Sequence, residues 1–127
     1  MELTGDVVSK PHTRAQTLTQ LQAAFFTVGE VDRQRAQSGK AYREFLRVPA
    51  MSAGLYVLAA GTADPQRPHH EDELYYVVRG KGRFRAGNED GEVGAGSVLL
   101  VAAEVEHRFY DIKEELAVLV FFAPAET

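Results

Sequence analysis

From Ala41 onward the chain is cut into short apolar pieces, AYREFLRV, GLYVLAA, LYYVVRG, GRFRA, SVLLVAA, HRFYDI and LAVLVFFA, separated by Gly, Pro, Asn and Asp clusters. This punctuation limits the possible folds more than any other feature. Strands so short and evenly spaced, with no helical pattern of ~10–15 residues between them, exclude βαβ units and call for an antiparallel sandwich or barrel. Pro49 ends the first run, and Gly87-Asn88 with Asp90-Gly91 mark a turn after GRFRA. LAVLVFFA is apolar on both faces, so it belongs in the middle of the assembly, and Pro124 closes it.

Met1 to Lys40 shows no such alternation. Thr17-Leu18-Thr19-Gln20 has the spacing of a capping box, and Leu18, Leu21 and Phe25 follow at i, i+3 and i+7. This predicts one short amphipathic helix from about Leu18 to Phe26. Gly29 to Lys40, GEVDRQRAQSGK, is charged with little to bury and reads as a connecting loop. The expected organisation is an extension over residues 1–40 and one β domain over residues 41–127, because 127 residues support a single core.

Composition narrows the chemistry. With 45% hydrophobic and 25% charged residues the chain is globular rather than disordered. Fourteen Lys and Arg against 18 Asp and Glu, a net charge of −4, supply no positive field for a phosphate backbone, so no nucleic-acid partner is expected. The chain has no cysteine, so any metal must be held by His, Asp, Glu or an amide oxygen. No stretch reaches the ~18 apolar residues of a membrane span, and MELTGDVVSKPHTR holds no signal-like apolar run. The expectation is a cytoplasmic protein without a membrane partner.

Three of the four histidines fall in the β region, two of them in Pro68-His69-His70-Glu71-Asp72-Glu73. His69 and Glu73 are four apart, so on an extended chain both point to one side of the sheet, with Tyr75 and Val77 continuing that face. His107 opens a later strand after the Ala102-Ala103-Glu104 turn, with Phe109 and Asp111 on its own face. With those strands side by side, two imidazoles and one carboxylate converge into a divalent-metal site of mixed N and O donors. Taken singly, a His-acid run at a loop is commonly a solvated turn, and an inward aromatic commonly fills core.

Two longer stretches carry a family resemblance. GTADPQRPHHEDELYYVVRG, Gly61 to Gly80, resembles the first motif of the cupin superfamily, G(x)5HxH(x)3,4E(x)6G, with Glu73 and Gly80 in register. GSVLLVAAEVEHRFYD, Gly96 to Asp111, resembles the second, G(x)5PxG(x)2H(x)3N, with Gly96 and His107 in place. The 15 residues between Gly80 and Gly96 resemble the short spacing of compact, single-domain, RmlC-like bacterial cupins. His69 occupies the second histidine slot of the first motif, but Arg67 fills the first, and a guanidinium stays protonated and cannot ligate. Ala102, Glu104 and Asp111 stand where the second motif has Pro, Gly and Asn.

What the resemblance implies is an all-β antiparallel double-stranded β-helix, or jelly-roll barrel, behind a short N-terminal helix. It would hold one divalent ion, Fe, Mn, Ni or Zn, on His69, Glu73 and His107. The fourth ligand is left to Gln66 through its amide oxygen, or to His70. Tyr75 and Phe109 are candidates for the pocket lining, and Arg67 for holding a substrate carboxylate at the mouth. The implied functions are a metal-dependent dioxygenase, isomerase or lyase acting on a small polar molecule, or a non-catalytic small-ligand-binding module. A homodimer through N-terminal or edge strands is also expected, since AYREFLRV and the apolar face of GLYVLAA offer strand edge that a lone barrel leaves open.

Overall fold

The structure is a computed structural model and describes residues 22–127. The helix expected over Leu18–Phe26 is not found where it can be judged: residues 22–27 are not helical, and Leu18 to Leu21 lie outside the described residues. Helix α1 is Val28–Ser38, and all of it but Val28 falls in the stretch Gly29 to Lys40 read as a loop. The Thr27 side chain accepts a hydrogen bond from the Glu30 backbone N–H at 3.2 Å, and Gly39, at φ 75°, closes the helix with its N–H on Ala36 O. Between the caps, Glu30 pairs with Arg33 and Gln34, and Asp32 with Arg35, at helical spacing. Only Val31 is buried. Caps and polar pairs hold this helix, so a search for an apolar stripe misses it, although Thr27-x-x-Glu30 repeats the capping spacing.

Six strands follow: β1 (Tyr42–Val48), β2 (Met51–Leu58), β3 (Asp72–Ala86), β4 (Glu89–Gly94), β5 (Val98–Val101) and β6 (His107–Ala123). All pairings are antiparallel, in the order β1-β2-β6-β3-β4, with β5 on β3. The run apolar on both faces lies in β6, between β2 and β3, where Leu116, Ala117, Val118, Val120 and Phe122 are buried. LYYVVRG and GRFRA merge into β3, and HRFYDI and LAVLVFFA into β6. The hairpin turn after GRFRA is Gly87-Asn88 alone, since Asp90-Gly91 already belongs to β4.

The long strands bend rather than end. Their ladder shifts register between Val77 and Arg83, and β3 changes neighbours there, pairing with β5 over Glu73–Tyr76 and with β4 over Lys81–Ala86. Gly80 sits in the bend at φ 102°, where a Cβ would stand 2.1 Å from the Glu115 carbonyl oxygen. This wrapping is the double-stranded β-helix. Its inner core centres on Tyr75, Phe84, Phe109 and Leu116, while on the opposite face of β2 and β6 the residues Leu55, Val57 and Ala117 pack under Val31 of α1. The expected open apolar face of GLYVLAA is therefore covered, as β2 is buried on both sides from Ser52 to Leu58. Among the described residues no helix is long and apolar enough to cross a membrane.

Candidate metal centre

Glu73 and His107 start from opposite ends of the β3·β6 ladder: Glu73 aligns with Phe122, and His107 with Ala86. On a flat sheet thirteen steps of strand would separate them by about 40 Å. The bends close the ladder on itself, and His107 Nε2 stands 3.1 Å from Glu73 Oε1, both side chains 1% exposed. The two do not meet as adjacent strand neighbours, as parity suggested, but through curvature. Parity also fails at Asp111, whose φ of 48° breaks the alternation, leaving it exposed and turning Ile112 inward.

His69 arrives on the loop between β2 and β3. Its backbone carbonyl accepts from Glu104 N–H at 2.7 Å, and its ring packs edge-on against Phe122 at 4.8 Å. Its Nδ1 lies 3.3 Å from Glu126 Oε2 and its Nε2 3.9 Å from Glu73 Oε1. Glu104, in the family's glycine position, holds the left-handed φ of 68° that the turn requires.

His69, Glu73 and His107 bring one ligand-type atom each to within 4.8 Å of one another. His107 Nδ1–H donates to Val105 O at 2.8 Å, so in the neutral ring the lone pair is on Nε2 and faces Glu73. His107 Nε2 and both carboxylate oxygens of Glu73 are buried without a hydrogen-bond partner, the ion-pair distance notwithstanding. Buried polar atoms left this way are costly, and a shared cation would satisfy all three, so the donor set fits a divalent metal. With the second nitrogen of each histidine turned to an oxygen, the ligating nitrogens are already oriented. Burial acts to lower the His107 pKa, but Glu73 and the Val105 carbonyl outweigh it and hold the imidazole above its ordinary value.

Gln66 lies beside this group. Its Nε2 donates to Asp64 Oδ2 at 2.9 Å, and its Oε1 accepts from Tyr75 O–H at 2.9 Å and stands 3.4 Å from His69 Nε2. The amide oxygen thus faces the histidine. Tyr75 and Phe109 are fully buried and form an aromatic floor with Phe84, at ring separations of 4.6 to 5.5 Å. Burial first, and the Glu73 charge second, raise the Tyr75 hydroxyl well above the usual tyrosine range and keep it a neutral donor. Arg67 is exposed, and the adjoining cavity is lined by Gln66 and Pro68 without it. His70 pairs with Glu104 Oε2 at 2.8 Å on the surface.

That cavity, of about 370 Å³, reaches His107 and Gln66 and carries Arg85, Arg108 and Glu106. A depression of about 440 Å³ beside the end of α1 is larger but holds none of the three clustered residues, so chemistry places the site at the smaller one. Sequence reasoning missed Asp64 and Glu126. Asp64 accepts from the Gln66 backbone N–H two residues on, an Asx turn that Asp-Pro spacing signals, whereas Glu126 is placed by long-range contact alone.

A family model described as Cupin domain matches residues 54–123. An uncharacterized protein of Streptomyces coelicolor is 47% identical over 102 residues, which is 80% of this chain and 97% of that protein. The Cnp3 cupin domain of Schizosaccharomyces pombe superposes with a TM-score of 0.60 at 16% identity, over 65% of this chain. The match spans 59% of that domain's own length. An RmlC-like cupin of Methanocaldococcus jannaschii with a double-stranded β-helix fold gives 0.59 at 15% identity, over 65% of this chain and 78% of its own. KdgF from Halomonas sp. gives 0.60 at 18%, over 65% and 76%. At these identities the structural likenesses speak for the fold alone.

Proposed function

This chain belongs to the cupin domain family, and from that premise we propose that His69, Glu73 and His107 hold one divalent metal ion, with the Gln66 amide oxygen as a fourth ligand. The observation that carries the proposal is the meeting of three buried polar atoms that have no hydrogen-bond partner, His107 Nε2 and both oxygens of Glu73. Nitrogen and oxygen donors in this mixture suit Fe, Mn, Ni or Zn. A redox-active ion such as Fe would supply the O2 chemistry of a dioxygenase, the first reading, and any of the four would supply Lewis-acid polarisation of a substrate oxygen, which suits an isomerase or lyase, the second.

The protein's own residues would do the rest. Tyr75, Phe84 and Phe109 close the floor against water, and Tyr75 holds the Gln66 oxygen toward His69. The charged lining of the cavity, with Arg85, Arg108 and Glu106, supports a small polar molecule as the ligand. A non-catalytic binding module is the second reading, since the same cavity and cation would hold such a molecule without turnover. Metal analysis of purified protein before and after chelation tests the site. Oxygen consumption by the metal-loaded protein over a panel of small polar acids and alcohols then separates dioxygenase from binder.

Self-association into a homodimer belongs to the same proposal. Leu74, Tyr76, Val98 and Leu100 are exposed, and Leu74 aligns with Leu100 and Tyr76 with Val98, which makes an apolar stripe along β3 and the short strand β5. An apolar stripe at a strand edge favours pairing. A cytoplasmic location completes the proposal and is tested by cell fractionation.

A further inference from the structure

We infer that Asp64 is a positioning residue of the metal site, which sets the end of the Gln66 amide that faces His69 and so makes Gln66 an oxygen ligand. This rests on the metal-site reading above. Asp64 is buried, and four donors, none of them a cation, converge on its carboxylate. Tyr56 O–H and the Gln66 backbone N–H donate to Oδ1 at 2.7 and 3.2 Å, and Gln66 Nε2 and the Phe109 backbone N–H donate to Oδ2, both at 2.9 Å.

The Asp64 oxygens accept all four bonds, so it is the NH2 end of the Gln66 amide that faces the carboxylate. The oxygen is thereby turned to the other side, where Tyr75 O–H donates to it and the His69 imidazole stands. Both neighbours agree on one orientation. The bond from Phe109 N–H also ties the loop that carries Gln66 and His69 to β6, two residues from His107. With no acceptor at position 64, the amide is free to turn its NH2 toward the metal position, and an NH2 group cannot ligate.

The test is a double-mutant cycle on the full chain, read by titration with Mn2+ and Zn2+, with thermal unfolding alongside. Asp64→Ala is expected to weaken metal binding about 10- to 100-fold, Gln66→Ala by at least as much, and the double variant no more than Gln66→Ala alone, because Asp64 acts through Gln66. Tyr56→Phe removes a donor from the same carboxylate but leaves the Gln66 side-chain bond, so it should lower Tm and keep the metal affinity. Asp64→Leu, close to Asp in shape and without an acceptor, replaces the alanine variant in the cycle if that variant does not fold. Unchanged affinity in either single variant, or additive losses in the double, overturns the role of Asp64. Wild-type protein that binds neither ion, or binds them equally well after His107→Ala, overturns the metal site itself.

Discussion

His107 Nε2 faces Glu73 Oε1 across 3.1 Å inside the barrel, and neither atom makes a hydrogen bond. A neutral imidazole aims a lone pair at a carboxylate here, an arrangement that needs a cation or a proton between the two. His107→Ala removes a ligand outright and should weaken metal binding by more than the ~10–100-fold typical of outer partners. His70→Ala, on the surface, should leave binding unchanged. Metal stoichiometry and titration on both variants check this.

The same pair governs the response to pH. His107 titrates above its ordinary value of 6.5 in the folded, metal-free protein. A raised folded pKa contributes stability that is fully present below the unfolded value and lost as pH rises through the folded one. The Tm of the chelated protein should therefore fall as pH rises above 6.5, the ordinary histidine value. Metal binding has the opposite sign, since the proton must leave first, and affinity should drop as pH falls. A Tm that rises with pH in chelator would contradict the assignment.

Gly80→Ala should be among the most damaging single changes. A methyl group there meets the Glu115 carbonyl oxygen at 2.1 Å and Leu116 Cα at 2.7 Å, on a φ of 102°. Backbone cannot retreat as a side chain can, so a loss of about 3 kcal/mol or more is expected. Gly29→Ala, in α1 with open space around it, should instead stabilise by about 0.5 kcal/mol or more. Denaturant unfolding of the two variants measures the contrast.

Light scattering should give twice the 14.0 kDa chain mass. Leu100→Glu places a charge in the exposed stripe opposite Leu74 and should shift the protein toward the single-chain mass without lowering metal affinity. A wild-type mass of one chain at micromolar concentration would end the dimer proposal.

The sequence by itself determined the strand class, the central place of LAVLVFFA, and the identity of His69, Glu73 and His107 as a group, because alternation and motif spacing are local properties. It misplaced the helix, since Val28–Ser38 is held by Thr27, Gly39 and polar pairs rather than by an apolar stripe. It also brought Glu73 and His107 together as neighbours on adjacent strands, when they occupy opposite ends of a ladder. Only the tertiary structure decided how those ends meet. The bends around Gly80 close the sheet on itself, and closure depends on register shifts and on the approach of Glu115 to Gly80, contacts between residues far apart in the chain. Asp64 reads in sequence as loop punctuation before a proline. Its part in the site exists only because the closed barrel sets Tyr56, Gln66 and Phe109 around one carboxylate.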